Sequence, residues 1–152
     1  MGTAPGIIAR LEYVEHVVSE TLRLYPSAWV IGREAVNDTQ LGGQRVARGT
    51  TVLLSPWLLH RDGRYFDEPQ AFRPERWAGG LAHYPRFAYI PFGGGQRTCI
   101  GSSFALMEVA VVLVTIAQRF RIELRDPTRP VEAVPVLTLQ PREGVPVVLH
   151  AR

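Results

Sequence analysis

The stretch Phe92-Gly93-Gly94-Gly95-Gln96-Arg97-Thr98-Cys99-Ile100-Gly101 contains the only cysteine in a chain of 152 residues. Three consecutive glycines let the backbone fold tightly and approach a bulky group closely. An apolar segment from about Ser102 predicts a helix, so Cys99 lies at a helix entrance. There the unpaired N–H groups and the positive dipole end stabilise a thiolate, to which Arg97 adds a positive charge. Such a thiolate can ligate a soft or borderline metal.

A lone cysteine is more commonly a buried structural side chain, here beside a glycine-rich turn. However, the spacing Phe92-x-x-Gly95-x-Arg97-x-Cys99-x-Gly101 resembles the haem-binding loop of cytochromes P450, with all five fixed positions filled. The resemblance implies that Cys99 is the catalytic thiolate ligand of the iron in haem b. It also implies cofactor contacts for the rest of the loop, namely Phe92, Gly93, Gly95, Arg97 and Gly101.

The composition describes a soluble globular chain, with 46% apolar and 20% charged residues. All 17 basic residues are arginine, and they are scattered at a net charge of +3, which gives a nucleic-acid partner little support. One cysteine excludes an internal disulfide framework and fits a reducing, cytoplasmic compartment. We recognise no signal peptide, and the most apolar stretch, residues 109–117, is predicted to be too short to cross a bilayer. A membrane anchor before this segment stays open.

Helical periodicity predicts a helix over residues 8–24, which Pro26 ends. Glu20 and Arg23 are three positions apart on this helix and can pair on one face. The predicted buried stripe consists of apolar residues at helical spacing: Ile7, Leu11, Val14, Val18 and Leu22.

The Glu20-x-x-Arg23 pair resembles the Glu-x-x-Arg helix of cytochromes P450, and residues 72–77 resemble the segment that supplies a second arginine there. The resemblance therefore implies a structural cluster of Glu20, Arg23 and Arg76 behind the haem loop. One carboxylate shared by two forked guanidinium groups would hold the loop in a single geometry.

The resemblance also implies that the stretch after Pro26 crosses the distal side of the haem. Ala28 and Val30 would then line the substrate pocket, and Arg33 would bind a haem propionate beside Arg97. The alternative is an ordinary core strand with a surface arginine. The tip of the C-terminal tail is expected to reach back toward substrate, which makes Leu137 a further pocket candidate.

Several short elements are predicted between these segments. Gly42-Gly43 is suited to a tight hairpin turn between residues 39–41 and 44–46, and residues 50–54 have the character of a buried strand. Ser55-Pro56 is a common helix start. We interpret His60-Arg61-Asp62 as a packing and charge element and not as a catalytic group.

Residues 63–91 predict a long irregular segment that aromatic side chains hold against the body of the protein. In the family this segment supports the haem loop and forms part of the face that meets the electron donor. Arg64, Arg73 and Arg86 could form a positive patch there, although each one singly is interpreted as an ordinary solvated side chain.

Residues 102–119 predict a helix that is apolar on nearly all sides and therefore buried within something larger. Residues 136–139 and 145–149 are predicted to form a hairpin around the turn at residues 141–144. The fold class is thus mainly α with small β-sheets, as in the C-terminal part of the cytochrome P450 fold.

A complete cytochrome P450 is much longer, and no stretch here can take the place of its distal, proton-delivering helix. We therefore interpret residues 1–152 as a C-terminal fragment of such a domain, or a truncated gene product. For the intact enzyme, the resemblance implies a monooxygenase that uses O2, a small organic substrate and a ferredoxin- or flavoprotein-type electron donor. Two alternatives stay open: a haem-thiolate peroxygenase or isomerase, and a non-catalytic remnant.

Overall fold

The computed structural model describes residues 12–152 of the chain. Within them the helices are α1 (Glu12–Leu24), α2 (Pro56–Leu59) and α3 (Ser102–Arg119). The strands pair as antiparallel couples: β1 (Ile31–Glu34) with β4 (Thr51–Leu54), β2 (Thr39–Leu41) with β3 (Gln44–Val46), β5 (Phe120–Leu124) with β8 (Val147–Ala151), and β6 (Ala133–Pro135) with β7 (Leu139–Pro141). The predicted combination of helices and small sheets is therefore present.

Helix α1 ends at Leu24, two residues before Pro26, as predicted. Of the predicted stripe, Val18 is buried and its helical neighbours Val14 and Leu22 are half-buried. The predicted helix start at residue 8 lies outside the described residues, as do the stripe residues Ile7 and Leu11. Glu20 and Arg23 are also buried in α1, so the inward face of this helix is charged as well as apolar.

The glycine pair forms the predicted hairpin turn between β2 and β3. Gly42 and Gly43 have φ values of 55° and 81°, the left-handed conformation that a type I′ turn demands at both central positions. Strand β4 is also present, but the prediction that it is buried is wrong for this chain. Leu53 is 68% exposed, because no second layer covers this two-stranded sheet within residues 12–152.

The segment 63–91 is irregular as predicted and contains short 3-10 turns at Pro74–Trp77 and Leu81–His83. Its aromatic side chains form the centre of the small core. Phe66 is fully buried, and its ring centroid lies 4.9 Å from that of Tyr84. The rings of Trp77 and Tyr89 are 4.6 Å apart. This aromatic cluster packs next to α1 and so holds the segment in place.

Helix α3 is formed as predicted, but within the described part of the chain it is mostly exposed. Ala110 is its only buried residue. Large apolar side chains on several sides of α3 are exposed: Phe104, Leu106, Met107, Val109, Val111 and Val112. The predicted burial of this helix is therefore not seen in residues 12–152. Its place inside a larger structure stays a prediction.

By length and composition alone, α3 is also long and apolar enough to cross a membrane, and it is the one such helix in residues 12–152. The expectation that the apolar stretch is too short therefore needs correction. That expectation counted only residues 109–117, whereas the helix itself has 18 residues, or about 27 Å at 1.5 Å per residue.

The C-terminal region contains a hairpin, but the predicted pairing of its strands is wrong. Residues 133–135 pair with 139–141 around a turn in which Val136 N donates to Thr138 O at 3.3 Å. Strand β8 pairs instead with β5, in a register that matches Ile122 with Leu149. Local apolar patterns could not show this, because the partner of β8 lies more than twenty residues away.

Candidate functional site

The cysteine loop is a folded structure held by its own backbone. Gly93 N donates to Ile90 O at 3.0 Å, and Thr98 N donates to Gly95 O at 3.1 Å. Cys99 N donates to Phe92 O at 2.9 Å, which closes the loop across its base. Cys99 is a free cysteine with an exposed side chain, so the alternative of a buried structural cysteine does not describe this chain.

The three glycines of the loop face different surroundings. Gly93 and Gly95 have positive φ values of 77° and 71°, a conformation that strains other residues. A Cβ atom on Gly95 would meet nothing within 4 Å, whereas one on Gly94 would meet the ring of Phe87 at 2.9 Å. The loop is therefore packed against Phe87 on one side and open at Gly95.

Cys99 lies immediately before the start of α3, as the sequence predicted. Cys99 O accepts from Ser102 N at 3.4 Å, and Gly101 O accepts from Ala105 N at 2.9 Å as the helix begins. The sulfur of Cys99 is 3.9 Å from the point where a Cβ atom on Gly101 would lie. A glycine at this position therefore keeps the space beside the sulfur free.

Of the remaining predicted cofactor contacts, two belong to the loop itself and Arg33 lies on β1. Phe92 is half-buried and Arg97 is exposed. Arg33 is exposed on β1, where its Nη1 donates to Gly32 O at 2.8 Å. Within residues 12–152 neither arginine forms an ion pair with an acidic side chain, and no contact joins Arg33 to Arg97. The binding of haem propionates by these arginines stays a prediction.

The structure brings Glu20, Arg23 and Arg76 together. Arg23 Nε and Nη2 donate to the two Glu20 carboxylate oxygens at 2.9 and 2.8 Å, and both side chains have 0% exposure. Arg76 Nε donates to Glu20 Oε1 at 3.0 Å. One buried carboxylate thus binds two guanidinium groups, one of them bidentately.

Two further donors to Glu20 were not predicted from the sequence. Trp77 Nε1 donates to Oε2 at 3.0 Å, and the backbone N–H of Arg73 donates to Oε1 at 2.8 Å. The signal available in the sequence was the position of both residues within the same short segment as Arg76. Together the donors saturate the carboxylate.

The pKa of Glu20 reflects this environment. Burial by itself raises the pKa, but hydrogen bonds from Arg23, the Arg73 amide and Arg76, together with the Arg23 charge, hold it below its usual value. The carboxylate is therefore ionised near neutral pH, which a buried acid without partners would not be.

The same arginines fasten the segment 60–71 to α1. Arg23 Nη1 donates to His60 O at 2.8 Å and to Pro69 O at 2.7 Å. Arg23 Nη2 also donates to Ala71 O at 2.9 Å, so every N–H of this guanidinium has an acceptor. Arg76 Nη1 donates to Asp67 O at 2.9 Å. The cluster therefore fixes the backbone of this segment in addition to pairing the buried charges.

The predicted pocket residues lie on two segments that meet. Leu139 N donates to Ser27 O at 2.9 Å, and Trp29 Nε1 donates to Val136 O at 2.9 Å. The β6–β7 turn with Leu137 at its tip is thereby held against the stretch that contains Ala28 and Val30. Leu137 is 96% exposed, Ala28 is exposed and Val30 is half-buried.

A groove of about 770 Å³ lies away from these residues. It is lined by the end of β5 and by residues 125–126, 129–132 and 142–146, none of which the sequence marked as a site. Its charges largely satisfy one another, since Arg142 binds Glu132 bidentately and Arg129 pairs with Glu143. Because these charges pair with one another, we assign no ligand to the groove.

The fold and the loop agree with the comparisons to known proteins. The cytochrome P450 family model matches residues 7–146. The chain is 40% identical over 145 residues to "Putative cytochrome P450 132" of Mycobacterium tuberculosis, which covers 95% of this chain and 31% of the relative. It is 38% identical over 147 residues to "Cytochrome P450 4V2" of Homo sapiens, at 95% of this chain and 28% of the relative.

A third relative is "Cyclooctatin synthase" of Streptomyces melanosporofaciens, 44% identical over 123 residues, at 79% of this chain and 27% of the relative. The chain therefore spans less than a third of the length of these curated relatives. The protein belongs to the cytochrome P450 family. Membership of this family implies, in general terms, a haem cofactor.

Proposed function

We propose that residues 1–152 are the C-terminal, haem-binding portion of a cytochrome P450 monooxygenase, which inserts one oxygen atom of O2 into a small organic substrate. The observation that carries this proposal is the exposed thiol of Cys99, held at the entrance of α3 by a loop with its own hydrogen bonds. Family membership supports it at the level of the whole protein.

The residues present fit haem b. The Cys99 sulfur is free and exposed, and Gly95 and Gly101 leave room where a large planar group would approach. Ile100, directly after the cysteine, presents a fully exposed apolar side chain. A thiolate ligand, open glycine backbone and uncovered apolar surface together suit an apolar macrocycle with an iron centre.

When bound, a thiolate-ligated haem supplies the activation of O2 and the transfer of an oxygen atom. The role of this chain would be to position the Cys99 thiolate and to adjust its electron donation to the iron. The backbone N–H groups of Ile100 and Gly101 have no acceptor among the described residues, so they are free to donate to the sulfur. Phe92 would shield the sulfur from water.

Arg33 and Arg97 would bind the two haem propionates. Each guanidinium lacks an acidic partner within residues 12–152, and a forked guanidinium binds a carboxylate bidentately. We assign Gly93 to the same surface because it lies beside β1, where a Cβ atom would be in ordinary van der Waals contact with Ile31 Cδ1 at 3.7 Å.

The substrate would lie beside Ala28, Val30 and Leu137, whose segments are joined by hydrogen bonds. The electron donor would be a ferredoxin or flavoprotein that binds the face formed by residues 63–91. Two of the arginines suggested for that face are paired with acids: Arg64 with Asp62 and Arg73 with Glu68. Their charges are thus partly neutralised, which weakens the case for a strong electrostatic patch.

A non-catalytic remnant is the second candidate, and the exposure of α3 favours it. Within residues 12–152, α3 buries only Ala110, so these residues alone do not supply the packing of a closed haem pocket. A chain in this condition would keep the cysteine loop without holding haem.

Haem titration into the purified chain, followed by absorption spectroscopy of the reduced carbon monoxide complex, separates the two candidates. We expect the red-shifted band of a thiolate-ligated haem from the parent chain and its loss in Cys99→Ala. Failure to take up haem would instead support the remnant. Turnover with a reductase and ferredoxin, compared with turnover on peroxide, would distinguish a monooxygenase from a peroxygenase.

A further inference from the structure

His60 is a buried side chain that has no role in the proposed haem chemistry. It follows α2 directly and has 0% exposure. Its ring lies 5.1 Å from that of Tyr89 and 6.5 Å from that of Phe66, between centroids. A polar ring in this position needs hydrogen-bond partners or a reason to lack them.

One ring nitrogen of His60 has a defined partner. Ile90 N donates to His60 Nε2 at 2.8 Å. Because Nε2 accepts, the proton of the neutral ring lies on Nδ1. Nδ1 is the one buried side-chain polar atom in residues 12–152 without a hydrogen bond. The one hydrogen bond of the ring with defined geometry is therefore the bond that Nε2 accepts from a single backbone amide.

Ile90 lies two residues before the cysteine loop (Phe92–Gly101) and is bonded to it. Ile90 O accepts from Gly93 N at 3.0 Å, and Phe92 O accepts from Cys99 N at 2.9 Å. On its other side, His60 O accepts from Arg23 Nη1 at 2.8 Å. His60 therefore connects the Glu20–Arg23 pair to the backbone from which Cys99 is held.

The surroundings keep the ring neutral, which its acceptor role requires. Burial, with smaller contributions from the positive charges of Arg23 and Arg61, lowers the pKa of His60 to about 4, although the carbonyls of Arg23 and Leu22 act in the opposite direction. A protonated ring would place a donor against the donating N–H of Ile90 and break that bond.

We propose that His60 is a positioning residue for the cysteine loop: its neutral ring fixes the Ile90 amide and thereby the direction in which Cys99 is presented. This inference rests on the proposed function for the identity of the ligand that Cys99 meets. The coupling between His60 and the loop does not depend on the proposed function, because it is present in the chain without haem.

The test uses three variants of the full chain. His60→Gln places an amide oxygen near the position of Nε2 and keeps the acceptor, whereas His60→Leu keeps the volume and removes it. Tyr89→Phe is the matched control, because Tyr89 OH donates to Ser19 O at 3.0 Å in the same core without a bond to the loop.

The first measurement is amide hydrogen exchange without haem. We expect His60→Leu to accelerate exchange at Ile90, Gly93 and Cys99 by about tenfold or more relative to amides of α1. We expect His60→Gln to restore most of the protection and Tyr89→Phe to have no such selective effect. Equal acceleration at the loop and at α1 in His60→Leu would overturn the proposal.

The second measurement needs no variant that could fail to fold. Nitrogen chemical shifts of His60 in the parent chain should show the tautomer protonated on Nδ1, and protonation on Nε2 would overturn the proposal. In haem-loaded chain, His60→Leu should reduce the share of the thiolate-type carbon monoxide band while His60→Gln retains it. If the parent lacks that band, the proposed function fails, and the exchange data still decide the role of His60.

Discussion

Arg23 binds both carboxylate oxygens of Glu20, at 2.9 and 2.8 Å, and neither side chain is exposed to solvent. A buried ion pair is not in itself stabilising, because removing two charges from water offsets much of their attraction. Here the remaining capacity of both partners is filled by backbone and side-chain hydrogen bonds. We therefore interpret the pair as a rigid contact that positions the segments next to the cysteine loop.

Removal of the Glu20 charge should strongly destabilise the chain. Glu20→Gln would leave Arg23 and Arg76 buried side by side without a counter-ion, and we expect a loss of about 3–5 kcal/mol in the free energy of unfolding. Urea denaturation followed by circular dichroism measures it.

Glu132→Gln is the matched control for that variant. Glu132 binds Arg142 bidentately with both distances at 2.8 Å, but the pair is exposed. Little change in the urea midpoint is expected there. Similar losses in the two variants would show that burial adds nothing to the Glu20 pair.

The indole of Trp77 should contribute through its hydrogen bond to Glu20. Trp77→Phe removes a donor to a buried carboxylate, and about 1.5–3 kcal/mol of stability should be lost. Trp29→Phe is the comparison, since Trp29 Nε1 donates to Val136 O at an exposed site. A Trp77→Phe chain as stable as the Trp29→Phe chain would refute this role for the indole.

The free energy of unfolding should decrease as the pH is lowered through the range in which His60 titrates. A lowered pKa in the folded state means that the unfolded chain binds the proton more readily, so stability is fully present above the unfolded value. It is then lost as pH falls from about 6.5 to about 4, by at most about 1.4 kcal/mol per pH unit.

Comparison of parent and His60→Gln isolates this titration from that of other groups. The positive charges of Arg23 and Arg61 and the rings of Phe66 and Tyr89 face His60 and are the same in both chains. The difference in urea midpoint between the two chains should change between pH 7 and pH 5. A constant difference across that range would contradict the assignment.

The contact with Phe87 should require a glycine at position 94. A Cβ atom on Gly94 would lie 2.9 Å from that ring, so Gly94→Ala should destabilise the chain by about 1–3 kcal/mol. In a Phe87→Ala background the same substitution should be better tolerated. Gly63→Ala, where a Cβ atom would meet nothing within 4 Å, serves as the control. Equal effects of Gly94→Ala in both backgrounds would exclude the steric explanation.

The features that the sequence predicted well are those determined locally or by a complete motif. The turn at Gly42-Gly43, the end of α1 at Leu24 and the position of Cys99 before α3 depend on residues close together in the chain. Family membership likewise follows from the spacing around Cys99, and the family match bears it out.

The features that sequence reasoning missed depend on distant contacts. The bond from Ile90 N to His60 Nε2 spans thirty residues and leaves no periodic signal. The pairing of β8 with β5 was wrong because apolar alternation marks a strand without naming its partner. The exposure of Leu53 was missed because β-branched, apolar character predicts a strand but not the layer that would cover it.

The central claim is that Cys99 binds the haem iron through its sulfur. X-ray absorption at the iron edge of the haem-loaded protein tests it most directly, with Cys99→Ser as the comparison. We predict one sulfur neighbour of the iron in the parent and only nitrogen or oxygen neighbours in the variant. An iron site without sulfur in the parent, or a sulfur neighbour that survives in Cys99→Ser, would contradict the account.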